Sequence, residues 1–341
     1  MLSFESDYIM GAHPEIIRRL TETNYEAAPG YGSDSYTERA IEKIRCAAKC
    51  PEASVYFAVG GTQTNQLVIS TMLADYEGVV AATTGHVSVH EAGAIEYSGH
   101  KVLNILGHMG KIDSNELEKY LKLFFQDENY EHMVMPGMVY ISQPTEYGSL
   151  YSLDELKNIY GICREYDMPL YIDGARLGYA LASDEADFTL ADISQYCDVF
   201  YIGGTKVGAL CGEAIVFTKN NMPKHFITLA KQRGALLAKG KLLGLQFETL
   251  FTDDLYMNIS KHAISQKNRL VEMLKSKNYQ FYYESPTNQQ FIILTNQQYK
   301  ELSDKVRVSF WDAYDENHVV VRLATSWSTT DEELNELDKI L

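Results

Sequence analysis

Between residues 37 and 217, short apolar runs alternate with amphipathic stretches, the pattern that builds a doubly wound α/β sheet. The runs predict strands over Val55–Val59, Gly78–Ala82, Lys101–Ile105, Met138–Ser142, Pro169–Ile172, Val199–Ile202 and Ala214–Thr218. Those ending near residues 172 and 202 are short and continuously apolar, as parallel strands covered on both faces are. One seven-stranded, mostly parallel sheet is expected. Among the stretches between strands, Ser152 to Tyr166 carries full helix signals: Ser152 and Glu155 form a capping box, and Leu156, Ile159, Tyr160 and Cys163 share a face. After residue 234 the pattern changes. Gly234 to Lys277 reads as long and helical, short strands follow at Tyr279–Tyr283, Phe291–Thr295 and Val319–Leu323, and a helix over Thr330–Leu341 ends the chain. The expected division is an N-terminal arm and helix over 1–30, a large α/β domain over 31–250 and a smaller α+β domain over 251–341.

A chain of 341 residues with 45% hydrophobic content can fill such a core. Its 30 basic and 46 acidic residues give a formal charge of -16, which argues against a nucleic-acid or anionic-membrane surface. The opening Met-Leu-Ser-Phe-Glu-Ser-Asp has no signal-peptide pattern and no run reaches bilayer length, so a cytoplasmic location is expected. Cys46, Cys50, Cys163, Cys197 and Cys211 form no C-x-x-C, and His86 with His90 at i, i+4 has no matching acidic or thiol partner. Neither a disulfide framework nor a metal site is expected.

The chemistry gathers at the ends of two apolar runs. Pro-Leu-Tyr-Ile-Asp-Gly-Ala-Arg ends near Asp173, and Val-Phe-Tyr-Ile-Gly-Gly-Thr-Lys ends in Lys206. Parallel strands would deliver this carboxylate and this amine to one sheet edge. An aldehyde cofactor with a basic pyridine nitrogen needs both: the amine to form a Schiff base, the carboxylate to keep the ring protonated as an electron sink. Pyridoxal 5'-phosphate is the cofactor that fits. A lysine after a strand is ordinarily a solvated loop residue; here Gly203, Gly204 and Thr205 give it no bulk to hide behind, and desolvation favours its neutral form.

Further candidates lie at the same edge. Gly61 and Thr62 open a helix after an apolar strand, and free N–H groups there can bind a phosphate, although Gly-Gly before a capped helix is also a common turn. His86 follows the Val79–Ala82 run and can lie flat on a planar ring, or be a loop histidine without a task. Arg176 and Arg322 can each grip an α-carboxylate as a fork, or form structural ion pairs. Arg322 has no anion close in sequence, which favours a ligand for it.

Taken in order, Tyr31-Gly-Ser-Asp, Gly61-Thr-Gln-Thr-Asn-Gln, His86 with Glu91-Ala-Gly-Ala, Asp173-Gly-Ala-Arg-Leu, Thr205-Lys and Val321-Arg-Leu-Ala-Thr-Ser-Trp resemble the low-specificity L-threonine aldolases of the β-eliminating lyase group, fold type I pyridoxal phosphate enzymes. The likeness runs from about Ser6 to the C-terminus. It implies that Lys206 holds the cofactor, Asp173 pairs with its ring nitrogen, His86 stacks on its face, and Gly61 and Thr62 bind its phosphate. It also implies that Arg176 and Arg322 hold the substrate carboxylate with help from Ser6. Tyr31 and one of Arg233 or Lys239 would come from a neighbouring chain, in a homotetramer or homodimer with shared sites. The implied reaction breaks the Cα–Cβ bond of L-threonine, L-allo-threonine or a related β-hydroxy amino acid, giving glycine and an aldehyde. A β-elimination or an amino-group exchange on another small amino acid is the alternative, and a ligand-binding or regulatory protein on the same fold is another.

Three departures from the family pattern bear on substrate choice. Gln143-Pro-Thr-Glu146 stands where Glu-Asn-Thr-His is usual, His90 replaces the Tyr of His-x-x-x-Tyr-Glu, and Glu5 precedes Ser6 in the arm. Glu146, His86 or an activated water could then take the hydroxyl proton. As a base, Glu146 would need burial to raise its pKa.

Overall fold

The computed structural model describes all 341 residues. Seven strands form the main sheet: β1 (Ser54–Ala58), β2 (Glu77–Ala82), β3 (Val102–Ile105), β4 (Met135–Ser142), β5 (Leu170–Asp173), β6 (Val199–Gly203) and β7 (Glu213–Phe217). Their spatial order is β1-β7-β6-β5-β4-β2-β3, and β7 alone runs against the rest. The apolar runs therefore become strands with ends shifted by a residue or a few. The order reverses between β4 and β2, which places a crevice beyond their carboxyl ends.

Both sheet faces are covered, which explains why the strands do not alternate. One face and its helices form a core around Val80, Val139, Ile141, Ile172, Phe200 and Ile202. The other packs Val79, Met138, Tyr140, Tyr171 and Tyr201 under helix α1 (Gly61–Met72). At the sheet edge a glycine follows β5 and another ends β6, because their turns touch. A Cβ on Gly174 would lie 2.0 Å from the Tyr201 carbonyl oxygen, and one on Gly203 would lie 2.1 Å from that of Ala175. This close approach sets Asp173 and Lys206 side by side in the fold.

The predicted helix after Ser152 is present as Leu153–Glu165, with both halves of its capping box made. The long helical stretch after residue 234 is instead two helices, Lys241–Leu250 and Leu255–Ser276, broken where Asp253 and Asp254 take left-handed φ values of 51° and 55°. An additional helix, Phe226–Gln232, precedes them. The Leu255–Ser276 helix buries Tyr256, Ile259 and Ala263 in the large core and Leu270 and Leu274 in a small one.

The small sheet has four antiparallel strands rather than the three expected: β8 (Gln280–Tyr283), β9 (Gln289–Thr295), β10 (Ser309–Ala313) and β11 (His318–Ala324), in the order β10-β11-β9-β8. Strand β10 escapes a hydrophobic pattern because it is an edge strand with only two apolar neighbours in a row. Phe310 pairs with Val321 and Asp312 with Val320, so Trp311 is the bulged residue between them. The N-terminus belongs to this sheet's surroundings: Leu2–Ser3 pair in parallel with Val306–Arg307, and Phe4 is buried with Leu270 and Leu323. No helix is long and apolar enough to cross a membrane.

Candidate active site

The turns after four parallel strands meet in a cleft of about 650 Å³. From β2 come Thr84 and His86, from β4 Glu146 and Tyr147, from β5 Arg176, and from β6 Lys206; Arg322 of β11 and Ser309–Asp312 of β10 close it from the small sheet. The arm crosses between the two sheets and adds Tyr8.

Lys206 lies at the floor, its Nζ without a hydrogen bond and 6.0 Å from the centre of the Tyr8 ring. Burial and the nearby Arg176 cation lower its pKa against the pull of Asp7, Asp173 and Glu213, which favours a neutral, nucleophilic amine. Behind it, burial pushes the Glu213 carboxyl up to about 8.

Asp173 is buried at the end of β5. Its Oδ2 accepts from the Tyr140 hydroxyl at 2.6 Å and from Asn65 Nδ2 at 3.1 Å, and its Oδ1 accepts from the Ala175 N–H at 3.0 Å. Burial alone would raise its pKa, but His86, the Tyr140 and Tyr201 hydroxyls and the Ala175 N–H together hold it below the ordinary value. These contacts favour the ionised carboxylate.

His86 opens the short helix α2 (His86–Val89), and its Nδ1 lies 2.6 Å from Glu91 Oε1. Burial opposes its protonation, but the Glu91 hydrogen bond and the charge of Asp173 outweigh that and raise its pKa. Glu146 sits against the start of the same helix. Its Oε1 accepts from the His86 N–H at 2.9 Å and from Ser142 Oγ at 2.7 Å, while its Oε2 is buried with no partner. Burial raises the Glu146 pKa, the shift that a carboxylate base requires.

The two arginines differ. Arg176 gives Nε and Nη2 to Asp7, at 2.6 and 3.0 Å, so most of its fork is already filled from within the chain. Arg322 faces no carboxylate: Nη1 donates to Gln289 Oε1 at 3.0 Å, Nη2 to the Glu5 carbonyl at 2.8 Å and to Ser309 Oγ at 3.2 Å, and the buried Nε has no partner. Trp311 lies under it, with the guanidinium carbon 5.4 Å from the ring centre. Ser6, between Glu5 and Asp7, is buried with an unpartnered Oγ.

Gly61 and Thr62 start α1 at an end that no side chain caps, and the Gly61 Cα faces the Tyr201 hydroxyl, to which an added Cβ would come within 3.3 Å. Tyr31 lies elsewhere: it is 53% exposed, and the Lys231 amine stands 5.0 Å from its ring centre. Arg233 Nη2 reaches the Ser70 carbonyl at 3.4 Å, and Lys239 is exposed. These three stand outside the cleft of their own chain.

Four residues were invisible as site residues in the sequence: Asp7, Asn65, Glu91 and Trp311. Asn65 and Glu91 lie within the quoted motifs, and Asp7 directly follows Ser6, so position was the available signal. Trp311 had none. Its place depends on the β10 bulge, which sets its ring 4.9 Å from Phe291 and 5.5 Å from Tyr147.

The β-eliminating lyase family model matches residues 3–303. A low specificity L-threonine aldolase from Pseudomonas sp. is 33% identical over 277 residues, which is 80% of this chain and 77% of that protein. A solved threonine aldolase from Leishmania major is 38% identical with a TM-score of 0.96, over 100% of this chain and 98% of that one. A variant aspartate aminotransferase from Thermus thermophilus shares the fold alone, at 14% identity and a TM-score of 0.73, over 100% of this chain and 92% of that one. With its seven-stranded sheet and the match over most of its length, this chain belongs to the β-eliminating lyase family.

Proposed function

We propose that this protein is a pyridoxal phosphate-dependent aldehyde-lyase that cleaves the Cα–Cβ bond of L-threonine, L-allo-threonine or a related β-hydroxy amino acid, giving glycine and an aldehyde. The observation that carries this reading is a set of unpartnered groups in one region of the fold: the Lys206 amine, Arg322 Nε, Ser6 Oγ and Glu146 Oε2. An amine without a partner beside a buried anionic carboxylate suits an aldehyde cofactor with a pyridine nitrogen. The uncapped start of α1 suits its phosphate. Lys206 would hold the aldehyde carbon, Asp173 the ring nitrogen, His86 the ring face, and Gly61 and Thr62 the phosphate. When bound, pyridoxal phosphate supplies a sink for the electron pair left on Cα as the bond breaks.

The chain's own residues direct which bond that is. Arg322 is a fixed cation lacking an anion, so it takes the substrate carboxylate, with Ser6 Oγ as a further donor and Arg176 Nη1 as the free remainder of the second fork. This fixes rotation about the Cα bonds. The β-hydroxyl then falls to Glu146, whose free Oε2 accepts its proton as the aldehyde forms. His86 is the poorer acceptor, because Glu91 already occupies Nδ1 and favours the imidazolium. Trp311 and Tyr147 cover the small-sheet side and keep water from the reacting carbon.

We propose further that Tyr31 and Arg233 or Lys239 serve the site of a neighbouring chain, as the resemblance to the L-threonine aldolases implies. None of the three lines the cleft of its own chain, which agrees with it. Borohydride reduction of the cofactor-loaded protein, followed by peptide mass analysis, tests the cofactor assignment. The pyridoxyl group should be found on the peptide holding Lys206; finding it elsewhere, or nowhere, overturns the assignment.

A further inference from the structure

Behind His86 lies a chain of polar contacts that the proposed reaction does not use directly. The Glu91 side chain has no exposed surface, and its Oε1 meets His86 Nδ1 at 2.6 Å. Asn65 Nδ2 donates to that same oxygen at 2.9 Å and to Asp173 Oδ2 at 3.1 Å. The amide cannot be turned round, because its oxygen would then face two carboxylates, which only accept; as placed, Asn65 Oδ1 accepts from the Tyr171 hydroxyl at 2.6 Å. Two N–H groups of one amide thus serve two buried carboxylates. The other Glu91 oxygen, Oε2, is buried without a partner.

We propose that Glu91 is a positioning residue that fixes His86 as the form carrying hydrogen on Nδ1, and that Asn65 ties this pair to Asp173 so that imidazole and aspartate are held as one unit. The inference rests on the site assignment above, in which His86 covers the cofactor face. A carboxylate accepts hydrogen bonds and cannot donate one, so the nitrogen facing Glu91 must bear the hydrogen. That leaves Nε2 as the nitrogen that gains or loses a proton toward the cleft. Since Glu91 Oε2 finds no donor, His86 and Asn65 alone stabilise its charge, and losing that charge unbalances the imidazole.

The alternative is that Glu91 merely anchors the start of α2 on α1. The two differ in what His86 does when the Glu91 charge is removed without changing its shape. Other charges face His86: Glu146 at its backbone N–H, Asp173 below, Lys206 across the floor, and His90 with its ring centre 5.5 Å away. All remain in Glu91→Gln.

The test uses cofactor-free protein with isotopically labelled histidine, with His86→Asn identifying the His86 resonances. In the native protein, the ring nitrogen shifts should show the Nδ1–H form once His86 is neutral; an Nε2–H form overturns the proposal. In Glu91→Gln the His86 titration midpoint should fall, and in Glu91→Asp it should recover at least in part. A midpoint unchanged in Glu91→Gln also overturns it. In loaded enzyme, Glu91→Gln should lower kcat about tenfold or more with KM nearly constant, and the pH profile should move with the His86 midpoint. The nuclear resonance measurement needs no substrate, so if His86 behaves as stated while threonine is not cleaved, the reaction assignment fails and the role of Glu91 stands.

Discussion

Replacing Arg322 by leucine separates function from stability in one variant. Burial, with Arg176 as a second cation nearby, lowers the Arg322 pKa from 12.5 to about 10 despite the opposing charge of Asp7, a net of about 3 kcal/mol against the charged form. Asp7, bonded to Arg176, offsets this only in part, and no carboxylate of the chain contacts the guanidinium, whereas a substrate carboxylate would. Removing the guanidinium should therefore cost amino-acid substrates about 3 kcal/mol of transition-state binding, or about 100-fold in kcat/KM. Folding should respond differently. The variant sheds the buried charge, but Gln289 Oε1 loses its donor, the Glu5 carbonyl keeps only Ser309 Oγ and the Trp311 ring loses the guanidinium, at about 1 kcal/mol each. These effects offset, so the cofactor-free variant should unfold within about 1 kcal/mol of the parent. Aldehyde release gives the first quantity and denaturant unfolding the second. A kcat/KM within threefold of the parent would refute the carboxylate role, and a large loss of stability would refute the idea that Arg322 is held at a cost.

Glu146→Gln should lower turnover far more than substrate affinity, measured as kcat against KM; unchanged turnover removes Glu146 from the mechanism. Because burial raises the Glu146 pKa, its ionised form costs stability as pH rises from the ordinary carboxylate range through the folded-state value. The glutamine variant should thus be more stable than the parent at pH 7 and equal to it in acid, as thermal unfolding at both pH values will show. Asp7 behaves in the opposite sense: burial raises its pKa, but Arg176, Lys206 and Asn288 together bring it from 3.8 down to about 2. That shift contributes about 2 kcal/mol, present above pH ~4 and lost as pH falls through ~2. Asp7→Asn should cost more, about 3–5 kcal/mol, since it leaves the Arg176 cation buried and unpaired; a loss under 1 kcal/mol on unfolding would contradict this.

The sequence made the main sheet readable because its strands are covered on both faces and so appear as uninterrupted apolar runs. Lys206 and Asp173 were readable for the same reason, as the first chemical groups after two such runs. The partners of these residues were not. Asp7 reaches Arg176 across 169 positions, and Asn65 joins Glu91 to Asp173 across two gaps, so only the assembled layers bring them together. The Arg176 fork looked free for this reason, and its filling by Asp7 leaves Arg322 as the guanidinium without a bonded carboxylate in the proposed site. Trp311 was hidden by a bulge, which breaks the alternation that marks a strand. The two-helix break at Asp253 and Asp254 was hidden likewise, because backbone with positive φ leaves no trace in a hydrophobic pattern.

The most direct measurement is the product balance from L-threonine with protein loaded with pyridoxal phosphate, run beside Lys206→Ala. Cleavage at Cα–Cβ yields glycine and acetaldehyde in equal amounts from the native protein and neither from the variant. Ammonia and a keto acid in their place, or the same yield from Lys206→Ala, would contradict the assignment of both the bond and the lysine.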